Sequence, residues 1–238
     1  MNREQDVDRL FIHGAGRRGA DAWPGFASGD FLEFPATSTI DAQVDMLIHE
    51  HSARRSIVFA HSIGAVPAVL AAATGRMDIV GLVLVEPALY DISRGSVSIE
   101  RHIGIVSEAR AQATAGDLRG FWRILRPLMF GGPFDAAKWN AERPLAERWA
   151  STNLPWGHGV RPSALTGVPT LVVTGGWNEE YEAIATVLAA HGAEHHVVRG
   201  AGHRAQDMAE FGPIVDRFLR RTMRDDGDAS GESHRDRR

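Results

Sequence analysis

The stretch that decides the fold is Ser56-Ile57-Val58-Phe59-Ala60-His61-Ser62-Ile63-Gly64-Ala65. Its first half is an apolar, β-branched run of the kind buried on both faces of a sheet. Its second half passes without a loop into Ile63 to Thr74, an alanine-rich stretch with helical character. A serine at so sharp a strand-to-helix turn has its hydroxyl forced above the sheet edge. Small residues on either side let the strained backbone and the following helix pack closely. The usual pattern is Gly-x-Ser-x-Gly, and Ala60 replaces the first glycine with one added methyl. The N-terminus of the helix turns its positive dipole end toward any oxyanion formed there.

Working outward, short apolar runs alternate with helix-like segments, which predicts a mainly parallel sheet covered by helices on both faces. Val7 to His13, Phe31 to Phe34, Gly81 to Val85, Pro169 to Thr174 and His195 to Arg199 read as further strands. Thr39 to His51 reads as a helix capped by Ser38 or Thr39, and Ala205 to Met223 as the last one. Between about residues 90 and 162 the alternation stops. That segment has helix-like pieces, Pro127, Pro133, Pro144 and Pro155, and Trp122, Trp139, Trp149 and Trp156. It reads as a helical cap inserted between two strands, its tryptophans mainly pinning it in place. One domain, residues 1–224, with this insertion is the expected organisation. The polar residues 225–238 bury too little apolar surface to order themselves and are expected to form a disordered tail.

Composition narrows the classes. A hydrophobic fraction of 44% supports a full core, and a net charge of −4 offers nothing to nucleic acid. The absence of cysteine removes disulfides, thiolate catalysis and thiolate-bound metals. The polar start, Met1 to Arg9, lacks the apolar centre of a secretory signal, and no apolar run reaches membrane-spanning length. The chain is therefore read as cytoplasmic, with a small-molecule substrate and no nucleic-acid or membrane partner. Composition and spacing say nothing of its oligomeric state.

Two more loops sit where strand ends are expected. His13-Gly14-Ala15-Gly16 closes the first strand, and the N–H groups of Ala15 and Ile63 together would make a two-donor oxyanion hole. The phosphate-binding pattern Gly-x-x-x-x-Gly-Lys is absent. Gly200-Ala201-Gly202-His203 follows the last strand, where a histidine can reach the serine hydroxyl as general base. His49-Glu50-His51 and the consecutive His195-His196 point to different faces of their elements, so neither is read as a metal site.

Through the Ala-His-Ser-Ile-Gly turn, the His-Gly-Ala-Gly and Gly-Ala-Gly-His loops and the insertion, the chain resembles the α/β-hydrolase family from Val7 to Met223. The resemblance implies an α/β-hydrolase fold, trimmed of the antiparallel strands that usually open its sheet. It also implies a Ser62 nucleophile, a His203 base and an acid between them in the chain. The family's usual acid position, a Gly-x-x-Asp arrangement, is occupied by Gly175-Gly176-Trp177-Asn178. An amide there orients an imidazole but cannot stabilise its charge. Glu179 and Glu180 follow directly. The first choice is Glu86, 24 residues past Ser62 at a strand end, a position from which some family members take their acid. Glu179 and then Asn178 remain the alternatives. Trp177 would wall the site or cover the next helix.

The expected activity is cofactor-independent, metal-free hydrolysis of a small or medium ester or lactone through an acyl-enzyme. A serine nucleophile argues against dehalogenase and epoxide hydrolase chemistry, for which the family uses aspartate. Carbon–carbon hydrolysis, hydroxynitrile cleavage and perhydrolysis on the same fold remain rivals, as does a non-catalytic ligand receptor, since fold alone does not fix chemistry.

Overall fold

The computed structural model describes residues 7–232, with side chains as far as Arg224. Six parallel strands form one sheet: β1 (Asp8–Ile12), β2 (Asp30–Leu32), β3 (Arg55–His61), β4 (Asp78–Val85), β5 (Thr170–Thr174) and β6 (Glu194–Val197). Their order is β2-β1-β3-β4-β5-β6, and every neighbouring pair is parallel. The helices of the sheet are α1 (Ile40–His51) and α2 (Ala65–Ala73) before the insertion. Thr39 caps α1, its hydroxyl accepting from the Ala42 N–H at 3.2 Å.

The chain steps from β1 outward to β2, then returns to lay β3 on the other side of β1 and continues away from it. The boundary between β1 and β3 is therefore the topological switch point. In open parallel sheets the crevice for a ligand opens there, beyond the carboxyl ends of the strands. His13-Gly14-Ala15 leaves β1 and Ser62 leaves β3 at that boundary, in a register that pairs Ile12 with Ala60. Ala60 is thus a regular, fully buried strand residue, which explains why alanine serves in the place of the usual glycine.

The insertion carries α3 (Val97–Thr114), α4 (Leu118–Phe130) and α5 (Trp139–Ser151). These helices form a compact unit of their own, residues 93–154, narrower than the 90–162 expected from sequence. The physical reason lies at Asp91. Its carboxylate accepts the N–H groups of Gly157, His158 and Val160 at 2.8, 2.9 and 3.3 Å, which fastens the returning chain to the sheet-bearing unit. Within the helical unit, Asp117 caps α4 through the Gly120 N–H, and buried Trp122 donates to Glu142 at 2.6 Å. The Arg110 guanidinium closes α3 onto the carbonyls of Ala150 and Thr152. Trp149 packs on Phe130 and Trp139 on Phe134, both contacts inside the helical unit.

After the insertion come α6 (Glu179–Ala190) and α7 (Phe211–Glu232). The last helix continues past Met223, and of the expected tail residues 233–238 lie outside the described residues. The core beneath α7 gathers Phe11, Ile57, Phe59, Val83, Val85, Leu171 and Val173 from the strands with Phe211, Val215 and Phe218. Phe11 stacks on Phe59 at 4.6 Å between centroids, which locks β1 to β3 just below the switch point. Among the described residues no helix is long and apolar enough to cross a membrane.

Candidate active site

Ser62 and Glu86 follow the last paired residues of adjacent strands, since His61 pairs with Val85 at the end of β3 and β4. At this level the backbone of both residues turns left-handed, with φ of 54° for Ser62 and 45° for Glu86. Among the described residues they are the two non-glycine residues with positive φ. Such conformations cost roughly 1–3 kcal/mol each and persist where the surroundings over-determine them. Here the surroundings are visible. The Glu86 N–H donates to the Val173 carbonyl at 2.9 Å, and the Ala88 N–H donates to the Ser62 carbonyl at 3.0 Å. Gly64 lies so close to β1 that a Cβ there would stand 2.5 Å from the His13 carbonyl oxygen. The elbow is therefore clamped between the β1 loop on one side and the turn after β4 on the other.

The β1 loop reaches Ser62 directly. A Cβ on Gly14 would sit 3.0 Å from the Ser62 Cβ and 2.9 Å from the His61 Nδ1. Ala15, the next residue, and Ile63, in the 3-10 turn that opens α2, are both half-buried beside this contact. The first N–H groups of a helical segment have no partner within it, and Ile63 occupies such a position.

His203 lies on the loop after β6, and its Nδ1 stands 3.5 Å from Oε2 of Glu86. This is ion-pair range; Nδ1 makes no hydrogen bond. The Glu86 carboxylate is fully buried and its oxygens are otherwise taken by the Gly175 N–H at 2.5 Å and the Trp177 Nε1–H at 3.1 Å. Two donors and a neighbouring imidazole offset the cost of burying that charge. The same β5 loop touches the histidine loop, because a Cβ on Gly175 would stand 2.2 Å from the Gly202 carbonyl oxygen.

His61 ties the elbow to the histidine loop. Its Nε2 lies 2.8 Å from the His203 carbonyl, and the two rings are 4.7 Å apart between centroids. A carbonyl only accepts, so Nε2 carries the proton. Burial holds this imidazole well below the usual histidine range, and the neighbouring His203 adds to the effect.

The other acid candidates are turned elsewhere. Asn178 caps α6, its Oδ1 accepting from the Glu180 N–H at 2.7 Å, and Glu179 is exposed in the first turn. Glu180 accepts the Tyr90 hydroxyl at 2.8 Å. Trp177 both supports Glu86 and, half exposed, lies edge-on to His203 at 6.0 Å.

Tyr181 is the residue that sequence reasoning missed. Its ring lies 4.9 Å from that of His203, and it is buried beside Trp177, 6.1 Å away between centroids. Burial pushes the Tyr181 phenol up, with the charges of Glu86 and Glu180 adding to it. Burial likewise raises Tyr90, helped by Tyr181 and Glu180. The one signal in the sequence is that the chain has two tyrosines and both belong to this cluster. Among the described residues no group of three or more His, Cys, Asp or Glu side chains is arranged to hold a metal ion.

No curated protein sequence matches the chain significantly. Many solved structures share the fold. A carboxylesterase of the ammonia-oxidising thaumarchaeon Nitrososphaera gargenis is 15% identical, with a TM-score of 0.60 over 94% of this chain and 93% of that one. MenH from S. aureus is 16% identical, with a TM-score of 0.55 over 93% and 96%. Proline iminopeptidase of Mycobacterium smegmatis is 16% identical, with a TM-score of 0.55 over 91% and 90%. The model described as the alpha/beta hydrolase family matches residues 10–211, from β1 to the start of α7 and through every loop of the site. On that match, which spans most of the chain, the chain belongs to the alpha/beta hydrolase family.

Proposed function

We infer that the protein is a cofactor-independent serine hydrolase that cleaves a small or medium ester or lactone through an acyl-enzyme. The observation that carries the reading is the meeting of three chain-distant loops at one sheet edge. Ser62 is held in a left-handed elbow, and His203 lies with its Nδ1 3.5 Å from the buried Glu86 carboxylate. In the reaction His203 takes the Ser62 proton and the serine oxygen attacks the substrate carbonyl. The N–H groups of Ala15 and Ile63 receive the oxyanion, and Glu86 stabilises the imidazolium. The tetrahedral adduct expels the alcohol, to which His203 returns the proton. Water then attacks the acyl-enzyme with His203 again as base, releasing the acid and regenerating Ser62. The carboxylesterase among the structural relatives supports an ester as the first substrate class to try.

The test is turnover of short and medium chromogenic esters by the purified protein and its Ser62→Ala variant. A burst of product followed by steady turnover, lost entirely in the variant, is the expected result. Ester cleavage that survives the substitution would overturn the assignment of Ser62.

A further inference from the structure

The loop that leaves β5 places a hydrogen-bond donor on each oxygen of Glu86. The Gly175 N–H donates to Oε1 at 2.5 Å and the Trp177 Nε1–H to Oε2 at 3.1 Å. Oε2 is also the oxygen that faces His203, 3.5 Å from Nδ1. The loop is fixed on either side of Trp177. The Gly176 N–H donates to Glu182 Oε1 at 3.2 Å, and Asn178 caps α6 by accepting the Glu180 N–H at 2.7 Å. Gly176 is left-handed, with φ of 67°, and a Cβ there would stand 2.8 Å from the Val197 side chain at the end of β6. The indole is thus carried by a backbone with few alternatives. Half exposed, it has water within reach of its N–H, yet that N–H is turned inward onto a fully buried carboxylate.

We propose that Trp177 is a positioning residue of this site, whose indole N–H sets the Glu86 oxygen that faces His203. This deepens the serine hydrolase reading and rests on it. The last torsion of a glutamate, the rotation of its carboxyl group, is broad and weakly restrained by the side chain itself. The Gly175 N–H anchors one oxygen and leaves the other free to swing about that anchor. The indole N–H supplies a second point, and two points fix the plane of the group. An indole nitrogen only donates, so the contact has one sense, and Oε2 keeps a lone pair for the imidazole. With Oε2 held, Glu86 orients the His203 ring and offsets the charge that develops on it as the Ser62 proton is taken. Trp177 acts through Glu86, and so on the chemical step and not on substrate affinity.

Trp177→Phe is the decisive variant, because it keeps an aromatic ring on the loop and removes the N–H. For ester cleavage kcat is expected to fall about tenfold, the value of one hydrogen bond, with KM within about twofold of the parent. In a Glu86→Gln background the same substitution is expected to change kcat by less than about twofold, because the group it orients no longer acts as the acid. Three results overturn the proposal: a kcat unchanged by Trp177→Phe, an effect confined to KM, or the same loss in both backgrounds. An effect on KM alone would make Trp177 a wall of the substrate site. The contact is also read without turnover. The indole N–H proton resonance of Trp177, identified by its loss in Trp177→Phe, is expected to move upfield when Glu86→Gln replaces the carboxylate by an amide. A resonance that stays in place overturns the proposal even where kcat falls, and this readout keeps the indole in place if Trp177→Phe folds poorly. Ester turnover that survives Ser62→Ala would sink the serine hydrolase reading instead, and the resonance would still decide whether the indole holds Glu86.

Discussion

The Ser62 and Glu86 backbones turn left-handed side by side, one step beyond the paired residues His61 and Val85. Two strained residues at the same level of neighbouring strands are held by one set of contacts. The Ala88 N–H, two residues past Glu86, satisfies the carbonyl of Ser62. The elbow and the Glu86 turn are therefore built as a unit.

Replacing the acid tests its role most directly. Glu86→Gln keeps an acceptor for one of the Gly175 and Trp177 donors, which bond different oxygens of the carboxylate, and removes the charge facing His203. By comparison with acid-to-amide changes in other triads, kcat for an ester is expected to fall by about 10³- to 10⁴-fold near neutral pH. Steady-state kinetics check this, and a loss under about tenfold would remove Glu86 from the triad.

Asn178 separates two explanations of the same position. As the cap of α6 it accepts the Glu180 N–H, so Asn178→Ala is expected to cost about 1 kcal/mol of stability. A lowered midpoint in urea melts with a rate loss far smaller than that of Glu86→Gln is the expected pair of results. A rate loss matching Glu86→Gln would mean that the amide supports His203.

Gly175 tests the contact between the β5 loop and the histidine loop. A methyl group there would stand 2.2 Å from the Gly202 carbonyl, next to His203, so the loop must move. Gly175→Ala is expected to cost about 1–3 kcal/mol and to lower kcat by displacing the imidazole from Glu86. Thermal melts and ester kinetics check the two parts. A variant as stable and active as the parent would show that the two loops are not coupled.

His61 gives the protein a predicted acid sensitivity. Its folded-state pKa is depressed well below 6.5, chiefly by burial, whereas in the unfolded chain it titrates near that value. Below about pH 6.5 the unfolded state binds a proton that the folded state refuses, so the contribution of His61 to stability is complete above this range and is lost as pH falls. The slope from this residue approaches about 1.4 kcal/mol per pH unit. Urea melts in mildly acidic and neutral buffers should show this fall, and His61→Gln should flatten it. An unchanged slope in the variant would assign the acid sensitivity to other groups.

The strand-and-elbow logic was legible in residues 56–65 because the features that define it are local. An apolar run must be buried, and a serine between small residues at its end must be lifted above the sheet. The Gly-rich loops at 13–16 and 200–203 were legible for a related reason: their composition marks tight turns, and their places in the alternation of strands put them at the same sheet edge. The choice among Glu86, Glu179, Glu180 and Asn178 was not local. All four lie at element boundaries where a polar residue is ordinary, and only the pairing of β3, β4 and β5 decides which one faces the histidine.

What the sequence determined by itself was the parallel α/β class and the elbow, since periodicity and turn chemistry are properties of neighbouring residues. What only the tertiary structure decided was the partner of each polar group. Glu86 is brought to His203, Asn178 to a helix cap, Glu180 to Tyr90, and Tyr181 to His203. Such pairings join residues far apart in the chain. They are fixed by strand order and register, because in a buried site every donor and acceptor must find whichever complement the packing brings within reach.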